Sequence, residues 1–235
     1  MSYDDVEDAR LYDVQNPWGP GDEFYRSLVP PDGDVLDVGC GTGRLLTRLR
    51  EDGSRGRLVG LDPGAGMLAV ARETPGIEWV RGHLRPGAYD AEFDLVTMTG
   101  HAFQELRTDA EVDGVLRGMR DAVRPGGRIA FETRDPAARE WERWHGASFE
   151  VPYDGAAVRI SYEVHSVDGE LVSFTETTDG GRWHRQADPA TLRFLAADAL
   201  DRHLAGAGLR VVARYGDWDR SPTGPEIITV AARSA

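Results

Sequence analysis

The sequence predicts an α/β fold, a parallel sheet covered by helices on both faces, and three observations carry that prediction. Short apolar runs alternate with segments whose apolar residues recur at intervals of three and four. The first run opens directly into a turn with glycine at every second place, Gly39, Gly41 and Gly43. Late in the chain the rhythm changes to a strict alternation of apolar and polar residues, which predicts an antiparallel excursion.

The first strand covers residues 34–38, and a helix follows over 44–50 with Leu45, Leu46 and Leu49 on one side. Residues 57–61 form the second strand and lead through Pro63 into a helix that carries Met67, Leu68 and Ala71. The third, fourth and fifth strands are residues 77–80, 93–98 and 128–132. Between the last two, Val112, Val115, Leu116, Met119 and Val123 keep a helical period until Arg124-Pro125-Gly126-Gly127 stops it. Within residues 147–185, Val158, Ile160, Tyr162 and Val164 alternate with Arg159, Ser161, Glu163 and His165, the period of a strand with one wet face. Asp168-Gly169 makes a hairpin turn, residues 171–178 return, and Asp179-Gly180-Gly181 turns the chain again before Trp183. A helix over 197–205 and strands over 209–215 and 226–232 complete the sheet.

Composition excludes several kinds of chemistry. A chain of 235 residues suits one domain of moderate size with an elaboration. All 27 basic residues are arginine, so lysine Schiff bases and lysine-anchored pyridoxal phosphate are excluded. A net charge of −13 with no basic stripe argues against a nucleic-acid partner and favours a small-molecule substrate. Cys40, the single cysteine, excludes an internal disulfide and a three-cysteine iron–sulfur cluster. The acidic start lacks the apolar core of a signal peptide and no run reaches membrane length, which predicts a cytoplasmic protein without a membrane partner.

The glycine turn predicts a nucleotide-like ligand, and its spacing selects among them. A dinucleotide fingerprint needs glycine at the sixth position from Gly39, which is Arg44 here. Asp37 stands two residues before Gly39, where it repels a pyrophosphate and attracts an ammonium or sulfonium. Asp62 ends the second strand, where its carboxylate can accept hydrogen bonds from a ribose diol.

Through Val35-Leu36-Asp37-Val38-Gly39-Cys40-Gly41-Thr42-Gly43 and Leu58-Val59-Gly60-Leu61-Asp62 the chain resembles the class I S-adenosylmethionine-dependent methyltransferases. Through Thr99-Gly100-His101-Ala102-Phe103-Gln104, Phe131-Glu132-Thr133-Arg134-Asp135-Pro136 and Tyr215-Gly216-Asp217-Trp218-Asp219 it is similar to small actinobacterial methyltransferases found with secondary-metabolite genes. The resemblance runs from Tyr12 onward and is weakest over 147–185. It implies a Rossmann-like seven-stranded fold with an antiparallel β insertion after strand five. The expected organisation is an N-terminal cap over 1–30, a cofactor-binding domain over 31–135 and 190–235, and a lid over 136–189. S-adenosylmethionine is the implied methyl donor and S-adenosylhomocysteine the implied product.

The resemblance also implies a set of cofactor-binding residues. Asp37, Gly39, Cys40, Gly41 and Gly43 come from the turn, with Asp62, Pro63 and Met67 following the second strand. Gly82, His83 and Leu84 follow the third strand, and Thr99, Gly100 and Phe103 the fourth. The family's acid beside the adenine amino group is replaced by His83, whose neutral ring nitrogen can still accept a hydrogen bond from it, with the Leu84 amide next to it. From the cap, Tyr12 is expected to reach the methionine end and Trp18 to cover the sulfonium or the substrate. Trp141, Trp144, Tyr153 and Trp183 suggest an aromatic wall over the pocket. His101, at the exit of the fourth strand, is the candidate catalytic residue, as a base or as a group that only positions ligands. His145, His165, His184 and His203 show no ligand spacing, and no metal is expected.

The predicted function is in-line methyl transfer to a small-molecule oxygen, nitrogen or carbon, with the oligomeric state left open. The competing readings are a protein that binds S-adenosylmethionine without methylating, and, more distantly, a nicotinamide-dependent oxidoreductase.

Overall fold

The computed structural model describes residues 2–234. Met1 and Ala235, which end the expected cap and the expected cofactor domain, lie outside the described residues. The chain opens with two helices, α1 (Val6–Gln15) and α2 (Pro20–Leu28), before β1 (Val35–Val38). Helix α3 (Arg44–Glu51), β2 (Leu58–Asp62), α4 (Ala65–Ala71) and β3 (Glu78–Arg81) follow, then β4 (Phe93–Met98), α5 (Asp109–Ala122) and β5 (Val123–Arg134). A short helix α6 (Trp141–Trp144) leads to four strands, β6 (Ser148–Tyr153), β7 (Ala156–Asp168), β8 (Leu171–Gly180) and β9 (Trp183–Arg193). Helix α7 (Ala197–Gly206), β10 (Leu209–Tyr215) and β11 (Glu226–Arg233) return to the first sheet.

The seven-stranded sheet has the order β10-β11-β5-β4-β1-β2-β3. β1 pairs in parallel with both β2 and β4, whereas β11 runs antiparallel to β5 and β10. The chain therefore builds outward from β1 through β2 to β3, then crosses back to place β4 on the other side of β1. That reversal splays the loops beyond the carboxyl ends of β1 and β4 apart and leaves a crevice there. All four residues of β1 are buried, as expected of a central strand covered on both faces. Leu36 and Val38 join the cluster that includes Val96, Leu116 and Phe131, while Val35 faces Leu45, Leu46 and Leu95 in a second cluster.

β5 is longer than the expected strand over 128–132. Val123 already pairs with Phe93, and the Arg124-Pro125-Gly126-Gly127 stretch, expected as a turn, is a bulge within the strand. A Cβ on Gly127 would lie 2.8 Å from the Asp94 carbonyl oxygen, so the neighbouring backbone comes too close there for any other residue.

The second sheet has the order β6-β7-β8-β9 and is antiparallel throughout. Helix α1 ties it to the first. Its Asp8, 3% exposed, accepts hydrogen bonds from Trp183 Nε1 at 2.6 Å and Gln186 Nε2 at 2.9 Å on β9. Towards the cofactor side, the Met67 amide donates to the Tyr3 carbonyl and the Ala65 amide to the Asp4 carboxylate. The N-terminal segment thus joins α4 to the antiparallel sheet, across the crevice.

Candidate active site at the carboxyl ends of the parallel strands

The turn between β1 and α3 is fixed by its neighbours. Gly39, Gly41 and Gly43 have φ of +68°, +55° and +78°, all in the left-handed region. The Gly39 amide donates to the Leu61 carbonyl at 2.7 Å, and the Gly41 amide donates to Asp62 Oδ2 at 2.9 Å. Asp62 Oδ1 accepts from the Gly64 amide at 2.7 Å, so one carboxylate stitches the turns after β1 and β2 together. Burial raises its pKa, opposed by those two amides. Each oxygen keeps a second lone pair for another donor. Cys40 turns its sulfur towards Leu68, Ala71 and Trp79, and burial raises its thiol pKa well above the ordinary value. This is an inert environment, and it leaves only the Cys40 backbone to the turn.

Asp37 lies beneath the turn, 1% exposed, accepting from the Thr97 hydroxyl at 2.8 Å. Burial pushes its carboxyl up to about 7 against that hydrogen bond.

Arg44 begins α3. Its Nη2 lies 3.2 Å from Asp22, while Nε and Nη1 are buried without a hydrogen-bond partner among the described residues. Beside it, Thr42 donates to Asp13 of α1 at 2.5 Å. The Tyr12 hydroxyl approaches Gly100, 3.5 Å from where a Cβ on that glycine would stand, and burial raises its pKa while the Arg44 charge lowers it.

On the opposite side of the turn, Met67 is 3% exposed, its sulfur 4.0 Å from where a Cβ on Gly41 would stand. Pro63 is exposed, Gly82 has open space around it, and the His83 side chain is exposed. Leu84 sinks its side chain into the core.

At the exit of β4, Thr99 and Gly100 lead into His101, whose φ of +59° is unusual for a residue with a side chain. Glu132 on β5, 1% exposed, accepts from the His101 amide at 2.7 Å and from the Tyr25 hydroxyl. The His101 ring is 21% exposed, and Nε2 lies 3.0 Å from both carboxylate oxygens of Glu226 on β11. Burial lowers the His101 pKa, with the Arg134 charge the second cause, and burial raises that of Glu226. Arg134 donates to Gln104 at 2.7 Å and lies over the Trp144 ring at 5.1 Å.

The structure therefore brings Tyr12, the glycine turn, Asp62, Met67, Leu84, Gly100 and His101 around one crevice. Trp18 lines a hollow beside the turn with Asp13, Thr42, Arg44 and Arg48, its Nε1 on Glu23 at 2.7 Å and Arg48 over its ring. One expected residue faces elsewhere. Phe103 is buried in the core, stacked on Phe131 at 4.4 Å, and supports the β4 exit from beneath. Of the aromatic wall, Tyr153 and Trp183 pack against each other with Leu11 of the cap in one cluster, while Trp141 and Trp144 pack on Phe194.

Residues 35–127 match a methyltransferase domain. Over 209 residues the chain is 33% identical to a cypemycin N-terminal methyltransferase from Streptomyces sp, covering 85% of this chain and 82% of that protein. The chain belongs to the S-adenosylmethionine-dependent methyltransferases. Among solved structures, this methyltransferase superposes with a TM-score of 0.73 on CalS10, an amino pentose methyltransferase from Micromonospora echinaspora with S-adenosylmethionine bound. That pair is 25% identical over 96% of this chain and 95% of the other. The sugar N-methyltransferase KedS8 from Streptoalloteichus sp, at 19% identity, shares the fold, with a TM-score of 0.79 over 98% and 94% of the two chains. The methyl donor is S-adenosylmethionine and the product S-adenosylhomocysteine.

The site fits this donor. Its sulfonium is already an activated leaving group, and its methionine part carries a carboxylate that the two unpaired donors of Arg44 can receive. In the sequence Arg44 stands out as a spacing mismatch, although an arginine opening the helix after such a turn is itself a signal for an anion. Glu132, Arg134 and Glu226 were missed as site residues. The contacts that bring them to the site span 30 residues in Arg134–Gln104, 31 in Glu132–His101 and 125 in His101–Glu226.

Proposed function

We propose that the enzyme moves a methyl group to an amine of a small molecule, with His101 as the base. The observation that carries this reading is the density of carboxylate at the methyl-transfer side. Asp37, Glu132 and Glu226 lie on three strands of one sheet, each at most 9% exposed, and favour an ammonium acceptor over an anion. The relatives support it, since one is named for an N-terminus and another for an amino pentose. Arg44 would hold the methionine carboxylate, Asp62 the ribose, and Met67 with the Leu84 backbone the adenine. Tyr12 would close over the methionine end, while the backbone of Gly39, Cys40, Gly41 and Gly43 and the residues Pro63, Gly82, His83, Thr99 and Gly100 line the cavity. The cap, cofactor-domain and lid boundaries at residues 30, 135 and 189 are kept as part of this reading. A cytoplasmic location and the absence of a nucleic-acid partner are also part of it, supported by the net charge of −13. No described helix is long and apolar enough to cross a membrane.

The test is transfer of label from methyl-labelled S-adenosylmethionine to a panel of amino sugars, peptides with free N-termini, phenols and thiols. Amines are expected to accept label and their acetylated forms to take none; labelling confined to phenols would overturn the amine assignment.

Asp37 adds a pH dependence. With its folded pKa raised to about 7, it is protonated at pH 5 and ionised at pH 8, so it attracts a sulfonium only in the upper range. Affinity for S-adenosylmethionine relative to uncharged-sulfur S-adenosylhomocysteine should therefore rise as pH increases through about 7. Calorimetry of both ligands at pH 5.5 and 8.5 measures the ratio, and an Asp37→Asn variant should flatten most of the rise, the remainder following Glu226, whose carboxyl burial also pushes up to about 7.

A further inference from the structure

We propose that Glu226 is a positioning residue that holds the His101 imidazole in the tautomer with its proton on Nε2, leaving Nδ1 as the atom that takes the acceptor's proton. The inference rests on the reading of His101 as the base and goes beyond it in naming the accepting atom and the group that selects it. Nε2 lies 3.0 Å from both oxygens of Glu226, a fork that one N–H can bridge to a carboxylate. Among the described residues Nδ1 has no hydrogen-bond partner, and the ring retains 21% of its exposure. The backbone fixes the ring's base as well. The Glu132 carboxylate holds the His101 amide at 2.7 Å, and Tyr25 holds Glu132 from α2, so the left-handed conformation of His101 is braced by two elements.

The groups around the pair come from several elements. Arg134 and Glu132 on β5 and Glu140 before α6 face His101, and Glu226 also meets Asp217, which follows β10. Burial together with the Arg134 charge lowers the imidazole pKa to about 4 and keeps it neutral near pH 7, so a proton it receives is held only transiently, with the Glu226 carboxylate beside it. In the step itself, the N–H bond of the acceptor ammonium breaks and its proton goes to Nδ1. The nitrogen lone pair forms a bond to the methyl carbon, the C–S bond breaks, and the sulfur keeps that electron pair. The imidazolium formed is stabilised by the Glu226 carboxylate through Nε2–H until the proton leaves to water.

The test needs no acceptor. Protein labelled with ¹⁵N-histidine is saturated with S-adenosylhomocysteine at pH 8, and the two-bond ¹⁵N–¹H correlation reports which ring nitrogen carries the proton. The His101 signals are assigned by their loss in His101→Asn. Wild type should show Nε2 protonated and Nδ1 bare. Glu226→Gln should lose that preference, shifting both ¹⁵N resonances towards a tautomer mixture, while affinity for S-adenosylhomocysteine stays within twofold. A proton on Nδ1 in wild type, or an unchanged tautomer in Glu226→Gln, overturns the proposal. Failure of amines to accept label would count against the amine assignment and leave the tautomer result standing.

Discussion

Replacing Arg44 with methionine is expected to weaken binding of S-adenosylmethionine and S-adenosylhomocysteine about 10- to 100-fold while leaving adenosine within twofold, since a charge-assisted hydrogen bond contributes about 1.5 to 3 kcal/mol. The residue opens α3 next to the glycine turn, and two of its donors are buried without a partner among the described residues. Burying a donor without a partner carries a cost, so the free protein holds this guanidinium in a state that a carboxylate relieves. For that reason the substitution should not unfold the protein. Asp22, left behind, still accepts from the Gly19 amide at 2.8 Å, and the methionine keeps the apolar stem. Calorimetry with the three ligands separates the possibilities, because adenosine lacks the carboxylate. An equal loss for adenosine would mean that Arg44 acts by shaping the turn, and the carboxylate assignment would fail.

How much of this site the sequence disclosed follows from how local each interaction is. The β1–turn–α3 unit is legible because its conformation is written in adjacent residues: a four-residue apolar strand, then glycines where φ is +68°, +55° and +78°. Asp62 is legible for the same reason, one strand later. Its main observed work is different, however, since both oxygens hold backbone amides of the two turns. The surface Trp18 packs on is less legible, because an aromatic residue near a site has several apolar surfaces to choose from. Here it took α3, with Arg48 over its ring.

Other features could not be read because they depend on partners brought together only by the sheet. Glu226 opposes Arg134 in register across the antiparallel β11–β5 pair, which places it against His101. Nothing within ten residues of Glu226 signals that encounter. β9 was equally opaque over most of its length. Its Gln186-Ala187-Asp188-Pro189-Ala190 run has no large apolar side chain and turns its polar Gln186 and Asp188 to the more buried side, and Pro189 is tolerated because β9 is the edge strand of its sheet. Edge strands need less burial, so they carry a weaker pattern.

Gly43→Ala is expected to cost about 2 to 5 kcal/mol of folding stability, from about 1 to 2 for an L residue in left-handed backbone and about 1 to 3 for overpacking. The overpacking has one source: a Cβ on Gly43 would stand 2.2 Å from the Trp79 ring, which fills the space beneath the turn. Gly60 meets the same ring at 2.4 Å, so Trp79 sets the spacing of β2 and the turn alike. Against a total stability of about 5 to 15 kcal/mol, such a loss is visible in urea unfolding. The two causes can be separated by a double-mutant cycle with Trp79→Leu, which removes the ring and leaves φ at +78°. In the leucine background Gly43→Ala should cost only the backbone strain, about 1 to 2 kcal/mol. Cofactor binding should follow the same logic, because relieving the clash by moving the turn would draw the Gly41 amide off Asp62 and open the ribose site. If Gly43→Ala costs the same in both backgrounds, φ alone requires the glycine and the tryptophan is a bystander.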